Sequence, residues 1–209
     1  MGLKFGEAEI YMLFKKKKNQ EDRIIVVSGL PRSGTSLMMM MMDAAGISPL
    51  QDHIRTADED NPKGYYEYER VKKLPEGDTR WLKDAKGKTV KVITALLEHL
   101  PVKYDYDVIL MRREMTEILA SQRKMLERRG ENPDKVSDFE MASLFEKHLE
   151  KVVRWLETQK NIRYLDINYN QLMETPAQEA KKVIDFLRKD LSLDAMTAKI
   201  DPNLYRQRN

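Results

Sequence analysis

The chain has 209 residues, 41% of them hydrophobic, which is enough for a single compact domain with a sizeable core. Its 37 basic and 34 acidic residues leave a net charge of +3, a mixed surface that does not imply nucleic acid as a partner. The absence of cysteine excludes disulfides, thiolate catalysis and cysteine-ligated metals, and fits a reducing compartment, so a cytoplasmic location is expected.

Residues 1–22 read as an N-terminal extension, with 23–209 as the one domain. The extension holds a short apolar piece, Ile10 to Phe14, followed by Lys15-Lys16-Lys17-Lys18. That order is the reverse of a signal peptide, and glycine at position 6 breaks the myristoylation pattern that Gly2 would start. The lysines read as a solvated lead-in to the first strand.

The β-branched run Ile24-Ile25-Val26-Val27 predicts that strand, and it feeds Ser28-Gly29-Leu30-Pro31-Arg32-Ser33-Gly34-Thr35-Ser36, a Gly-bounded loop that opens into an apolar helix. Two glycines enclosing four residues allow the backbone to fold with N–H groups turned inward, and the helix adds the positive end of its dipole, so the stretch reads as a cradle for phosphate or sulfate. The spacing is that of G-x-x-x-x-G-K-[ST], but Thr35 stands where the lysine belongs and the positive charge has moved to Arg32. The run Leu37 to Met42 is apolar on every side, as in a helix buried against a sheet, and is far too short to span a membrane.

From 43 to 87 turn chemistry dominates, and short helices are expected among loops. Within this stretch Asn61-Pro62-Lys63-Gly64-Tyr65-Tyr66-Glu67 sets a tight turn before an aromatic pair and a carboxylate, a segment suited to wall a pocket. Residues 88–94 predict a second strand, 95–100 a short helical piece ended by Pro101, and 107–112 a third strand. Helices follow over 116–129 and, capped by Ser137, to about 159; a fourth strand covers 162–167 and a last amphipathic helix 176–188. Alternating strands and helices of this kind predict an α/β, P-loop-type three-layer fold, a parallel sheet of four to five strands with helices on both faces. Such a sheet binds ligands outside the carboxyl ends of its strands, which is where Arg113 falls. Arg112 alternates to the other face of its strand.

The loop Pro31-Arg32-Ser33-Gly34-Thr35-Ser36 resembles the donor loop P-[KR]-S-G-T-[ST] of the sulfotransferase family, in its bacterial type. The segment from Asn61 to Glu67 is similar to an N-P-x-G-[YF]-x-E stretch of bacterial members, and Tyr169, Leu172 and Pro176 keep the frame of a Y-E-D-L-x-x-x-P stretch in which Asn170 and Gln171 here replace both acids. The tryptophan many members carry after the loop is Leu37 in this chain.

What the resemblance implies is transfer of a sulfuryl group from 3′-phosphoadenylyl sulfate to an acceptor hydroxyl or amine, leaving adenosine 3′,5′-bisphosphate. Pro31, Arg32, Ser33, Gly34, Thr35 and Ser36 would hold the 5′-phosphosulfate. Arg113 and Ser121, eight residues apart, match an arginine and serine that bind the 3′-phosphate in the family, and Tyr169 matches a tyrosine near the adenine. A guanidinium fork and a hydroxyl suit that phosphate chemically. Lys91 lies on the strand where members often carry a lysine. Arg32 would balance charge on the leaving oxygen.

The general base is open among Glu67, His99 and His53, with Glu67 first. His99 precedes Leu100-Pro101 but sits eight residues from Lys91, which breaks the close lysine-histidine spacing of some members. His148 lies in a charged amphipathic stretch and reads as a surface residue. Three scattered histidines give no metal pattern, so no metal is expected. The acceptor would be a small molecule or glycan, with no membrane span; the sequence is silent on oligomeric state. Two other classes fit the loop alone: a P-loop nucleotide kinase or triphosphatase, and a non-catalytic nucleotide-binding interaction module. The missing lysine speaks against the first, and retention of both phosphate sites against the second.

Overall fold

The computed structural model of the chain describes residues 22–54 and 64–201. The expectations placed on residues 1–21, on Asn61, Pro62 and Lys63 and on 202–209 lie outside the described residues.

Four strands, β1 (Ile24–Gly29), β2 (Thr89–Lys91), β3 (Tyr106–Arg112) and β4 (Ile162–Asn168), form one parallel sheet in the order β2-β1-β3-β4. The central strands are apolar on both faces because both faces are covered. Ile24, Val26, Tyr106, Val108 and Leu110 point into one core, while Ile25, Val27, Ile109 and Met111 point into the other.

The second core is built on α1 (Thr35–Ala44), whose run Met38 to Met42 is buried throughout, with Met38, Met39, Met41 and Met42 packed between the sheet and the C-terminal helices. Four flexible thioether side chains from one helix fill this space. The first core takes Val152 and Leu156 from the long helix Asp138–Thr158, together with Leu74, Trp81 and Leu97 from three 3-10 helices, Glu69–Glu76, Arg80–Ala85 and Thr94–His99. Tyr68 meets Trp81 edge-on, with ring centroids 5.4 Å apart, so these two aromatics close the core.

Continuing in chain order, α2 is Met115–Arg128, α3 is Asp138–Thr158, α4 is Tyr169–Glu174, α5 is Pro176–Leu187 and α6 is Leu193–Thr197. Ser137 caps α3 in a reciprocal box with Glu140. The second strand is shorter than the expected 88–94. After Lys91 only the Val92 N–H still reaches the Val27 carbonyl, and the chain turns at exposed Ile93 into the 3-10 helix. At the amino end of the sheet, Asp107 is buried and receives Arg23 at 2.6 Å and Arg163 at 2.7 Å, tying β3 to β4 and to the start of β1. Arg112, at the carboxyl end of β3, pairs with Asp166 of β4 at 2.7 Å. No helix among the described residues is long and apolar enough to cross a membrane.

The connection leaving β1 leads to β2 on one side, and the connection leaving β3 leads to β4 on the other. The crevice outside the carboxyl ends of these adjacent strands is therefore the switch point of the sheet.

Candidate functional site

The loop between β1 and α1 lies at that switch point. Arg32 and Gly34 both have positive φ, 70° and 95°, and this alternation curls the backbone into a concave turn at the helix start. Gly34 supplies no side-chain cap, and the first helical bond runs from Met38 N–H to the Gly34 carbonyl. The amide groups of the first turn of α1 therefore face the loop rather than a helical acceptor.

Both glycines are required by packing. A Cβ on Gly29 would stand 2.3 Å from Ser33 Oγ and 2.9 Å from the Met111 carbonyl oxygen. One on Gly34 would stand 2.3 Å from Cδ2 of Tyr169. Ser33 is buried, and both its hydroxyl (2.7 Å) and its N–H (3.2 Å) donate to the Leu30 carbonyl, so it closes the loop from inside. Pro31 is exposed, and Thr35 and Ser36 are half-buried at the start of the helix.

The loop carries one cation, Arg32, and two more reach it from elsewhere in the chain, Arg113 and Lys91. Arg32 Nε donates to Ser121 Oγ at 2.8 Å, joining the loop to α2 across 89 residues of sequence. Arg113 Nη1 donates to the Arg32 carbonyl at 3.0 Å, and its guanidinium stacks over the Tyr169 ring, 4.6 Å from the centroid. Lys91 Nζ donates to Ser36 Oγ at 2.9 Å and to the Tyr65 carbonyl. The sequence-predicted residues Arg32, Gly34, Ser36, Arg113, Ser121 and Tyr169 thus form one assembly, and Lys91 belongs with them. A set of cations, hydroxyls and helix-start amides around a concave backbone fits a doubly phosphorylated anion chemically.

Two further residues complete the assembly and have no phosphate-motif signal in the sequence. Glu117 accepts from Arg113 Nε at 2.8 Å and from Asn170 Nδ2 at 2.9 Å, and Asn170 Oδ1 accepts the Glu114 N–H at 3.2 Å. The four-residue spacing of Arg113, just before α2, and Glu117, in its first turn, was the available clue for the first; Asn170 arrives on α4, which spacing along the chain does not reveal.

The candidate bases are placed differently. Glu67 is half-buried, two residues beyond the Tyr65 carbonyl that receives Lys91, and its own carbonyl accepts the Asp52 N–H at 3.2 Å. Tyr65 is buried, and Tyr66, at φ 54°, directs its hydroxyl to Asp43 at 3.4 Å. Burial, then the Asp43 carboxylate, pushes the Tyr66 phenol up. His99 is exposed at the end of its 3-10 helix, and His53 is exposed with φ 57°. His148, expected at the surface, is half-buried: its Nε2 lies 2.9 Å from Thr94 Oγ1, in a small pocket lined also by Leu97, Glu98, Val152 and Trp155. Burial and then Lys151 lower its pKa. Among the described residues no group of histidine and carboxylate side chains is arranged to hold a metal ion.

A family model described as "Sulfotransferase family" matches residues 50–192, more than half of the chain, beginning after the phosphate loop. Among solved structures, the chain is similar to a sulfotransferase domain from the curacin biosynthetic pathway, at 17% identity over 87% of this chain and 84% of that one, with a TM-score of 0.53. It is also similar to sulfotransferase STF1 of Mycobacterium tuberculosis H37Rv, at 14% identity over 90% and 74%, with a TM-score of 0.57. Mouse sulfotransferase SULT7A1, solved in complex with PAP, aligns at 19% identity over 86% and 63%, with a TM-score of 0.50. No curated protein sequence matches the chain.

Proposed function

Because the chain belongs to the sulfotransferase family, we propose that it transfers a sulfuryl group from 3′-phosphoadenylyl sulfate to a hydroxyl or amine of a small-molecule or glycan acceptor, in the cytoplasm, with residues 23–209 acting as one domain. The observation that carries the assignment of the donor site is the meeting of Arg32, in a concave loop at the sheet's switch point, with Arg113, just before α2, and Ser121 of α2, which lie 81 and 89 residues further along the chain. A loop that merely turned a strand into a helix would need neither arginine nor the serine. The lack of cysteine supports the compartment.

The donor supplies an activated sulfuryl group on a phosphate leaving group. Arg32, Thr35, Ser36 and the first amides of α1 bind its 5′ end and place positive charge where the leaving oxygen gains electrons. Arg113 and Ser121 recognise the 3′-phosphate, and the Arg113–Tyr169 stack fixes the edge of the nucleotide site. Lys91 holds the Ser36 hydroxyl and the Tyr65 carbonyl at once, which joins the donor loop to the segment carrying Glu67. Glu67 takes the proton of the acceptor hydroxyl or amine on its carboxylate. The testing experiment is transfer of label from donor carrying a labelled sulfuryl group to a panel of alcohols, phenols, amines and glycans. Labelled product that disappears with Arg32→Ala supports the reading; equal product without the chain or with the variant removes it.

A further inference from the structure

Arg113 is held more tightly than recognition of a mobile ligand would by itself require. Its side chain is 9% exposed and that of its partner Glu117 is 3% exposed. Nε is bonded to Glu117, Nη1 to the Arg32 carbonyl, and one face of the guanidinium lies on Tyr169. Glu117 is itself oriented, since its other oxygen accepts from Asn170, whose carboxamide is oriented in turn by the Glu114 N–H at the start of α2. The chain of contacts therefore runs from the backbone at one helix start, through an amide and a carboxylate, to the guanidinium beside the phosphate loop.

A buried carboxylate beside an anion-binding arginine is costly for anion binding on charge alone, because it neutralises the cation and repels the ligand. Its retention is explained if orientation matters more than net charge, as it does for a planar fork that must meet a phosphate bidentately. Asparagine rather than an acid at position 170 fits the same logic: an aspartate there would set a second carboxylate against Glu117, whereas the amide donates to it.

We infer that Glu117 and Asn170 are positioning residues that orient Arg113, and that preference for a nucleotide bearing a 3′-phosphate depends on them. This rests on the donor site proposed above. The test is calorimetric titration of the wild-type chain, Glu117→Gln and Asn170→Ala with adenosine 3′,5′-bisphosphate and with adenosine 5′-monophosphate, reading the ratio of the two dissociation constants. Both variants are expected to lower the preference for the bisphosphate at least tenfold while leaving affinity for the monophosphate within about twofold. Asn170→Ala changes no charge and keeps the test valid if Glu117→Gln fails to fold.

A ratio unchanged in folded Asn170→Ala would overturn the inference, and so would a ratio that rises in Glu117→Gln, the sign that charge alone predicts. Equal loss of affinity for both nucleotides would also overturn it, since that is the mark of a merely structural pair. If the wild-type chain shows no preference for the bisphosphate, the donor assignment itself fails and the inference falls with it; the wild-type titration separates the two failures.

Discussion

Replacing Gly34 with alanine tests how the phosphate loop is built. The residue has φ 95° and ψ 13°, and the new Cβ would lie 2.3 Å from the Tyr169 ring. The left-handed backbone costs an alanine about 1–2 kcal/mol, and overpacking a filled site typically adds ~1–3 kcal/mol. Tyr169 cannot swing away without cost, because it is buried and carries Arg113 on its face. A total near 3 kcal/mol is expected, which for a chain of this size lowers the melting temperature by roughly 6–12 °C.

Differential scanning calorimetry of the wild-type chain, Gly34→Ala, Tyr169→Ala and the double variant separates the two contributions. Removing the ring relieves the clash but not the backbone strain, so the double variant should be ~0.5–3 kcal/mol more stable than the sum of the single changes predicts. Additivity within about 0.5 kcal/mol, or a Gly34→Ala variant as stable as wild type, would refute the packing account of this glycine.

Glu67→Gln keeps shape and removes basicity, so turnover should fall by ~10²–10⁴ with little change in bisphosphate affinity, whereas His99→Gln should be mild; the reverse pattern in steady-state assays would move the role to the histidine. Lys91→Met breaks the link between Ser36 and the Tyr65 carbonyl, and loss of a charge-assisted bond of ~1.5–3 kcal/mol should weaken donor binding roughly 10- to 100-fold in a competition titration. His148 has a folded pKa below its ordinary 6.5, so the unfolded chain takes up the proton first as pH falls. Its contribution to stability is present above 6.5 and is lost as pH drops from there toward the folded value, and His148→Gln should flatten melting temperature against pH over that window.

The elements read most clearly from sequence are those whose pattern is local. The β-branched run of β1 and the Ser137–Glu140 box of α3 declare themselves without tertiary help. So does the all-round apolar character of α1, which required cover on every side. The short helix α4 carries only a weak local signal, the Asn168 cap that accepts the Gln171 N–H at 3.1 Å, because six residues are too few to show a helical period. Within the site, Arg32, Arg113 and Ser121 were legible because phosphate chemistry demands cations and hydroxyls near a Gly-bounded loop. Their mutual contacts were not, nor were the contacts of Lys91 to Ser36 and of Asn170 to Glu117, because each joins residues more than 50 apart whose meeting is decided by strand order. The positive φ of Gly34 agrees with the backbone freedom expected of it, but its packing role was hidden for the same reason: the nearest atoms to its missing Cβ belong to Tyr169.

A site for a nucleotide phosphorylated at both the 5′ and 3′ positions is tested most directly by the melting temperature with adenosine 3′,5′-bisphosphate, adenosine 5′-monophosphate or magnesium-ATP at matched concentration. A ligand at about 100 times its dissociation constant stabilises the fold by ~2.7 kcal/mol, which is roughly 5–11 °C for a chain of this length. A shift of that size is expected from the bisphosphate without added metal, and a far smaller one from the monophosphate. Equal shifts from the two adenosine phosphates, or a larger shift from magnesium-ATP than from the bisphosphate, would contradict such a site.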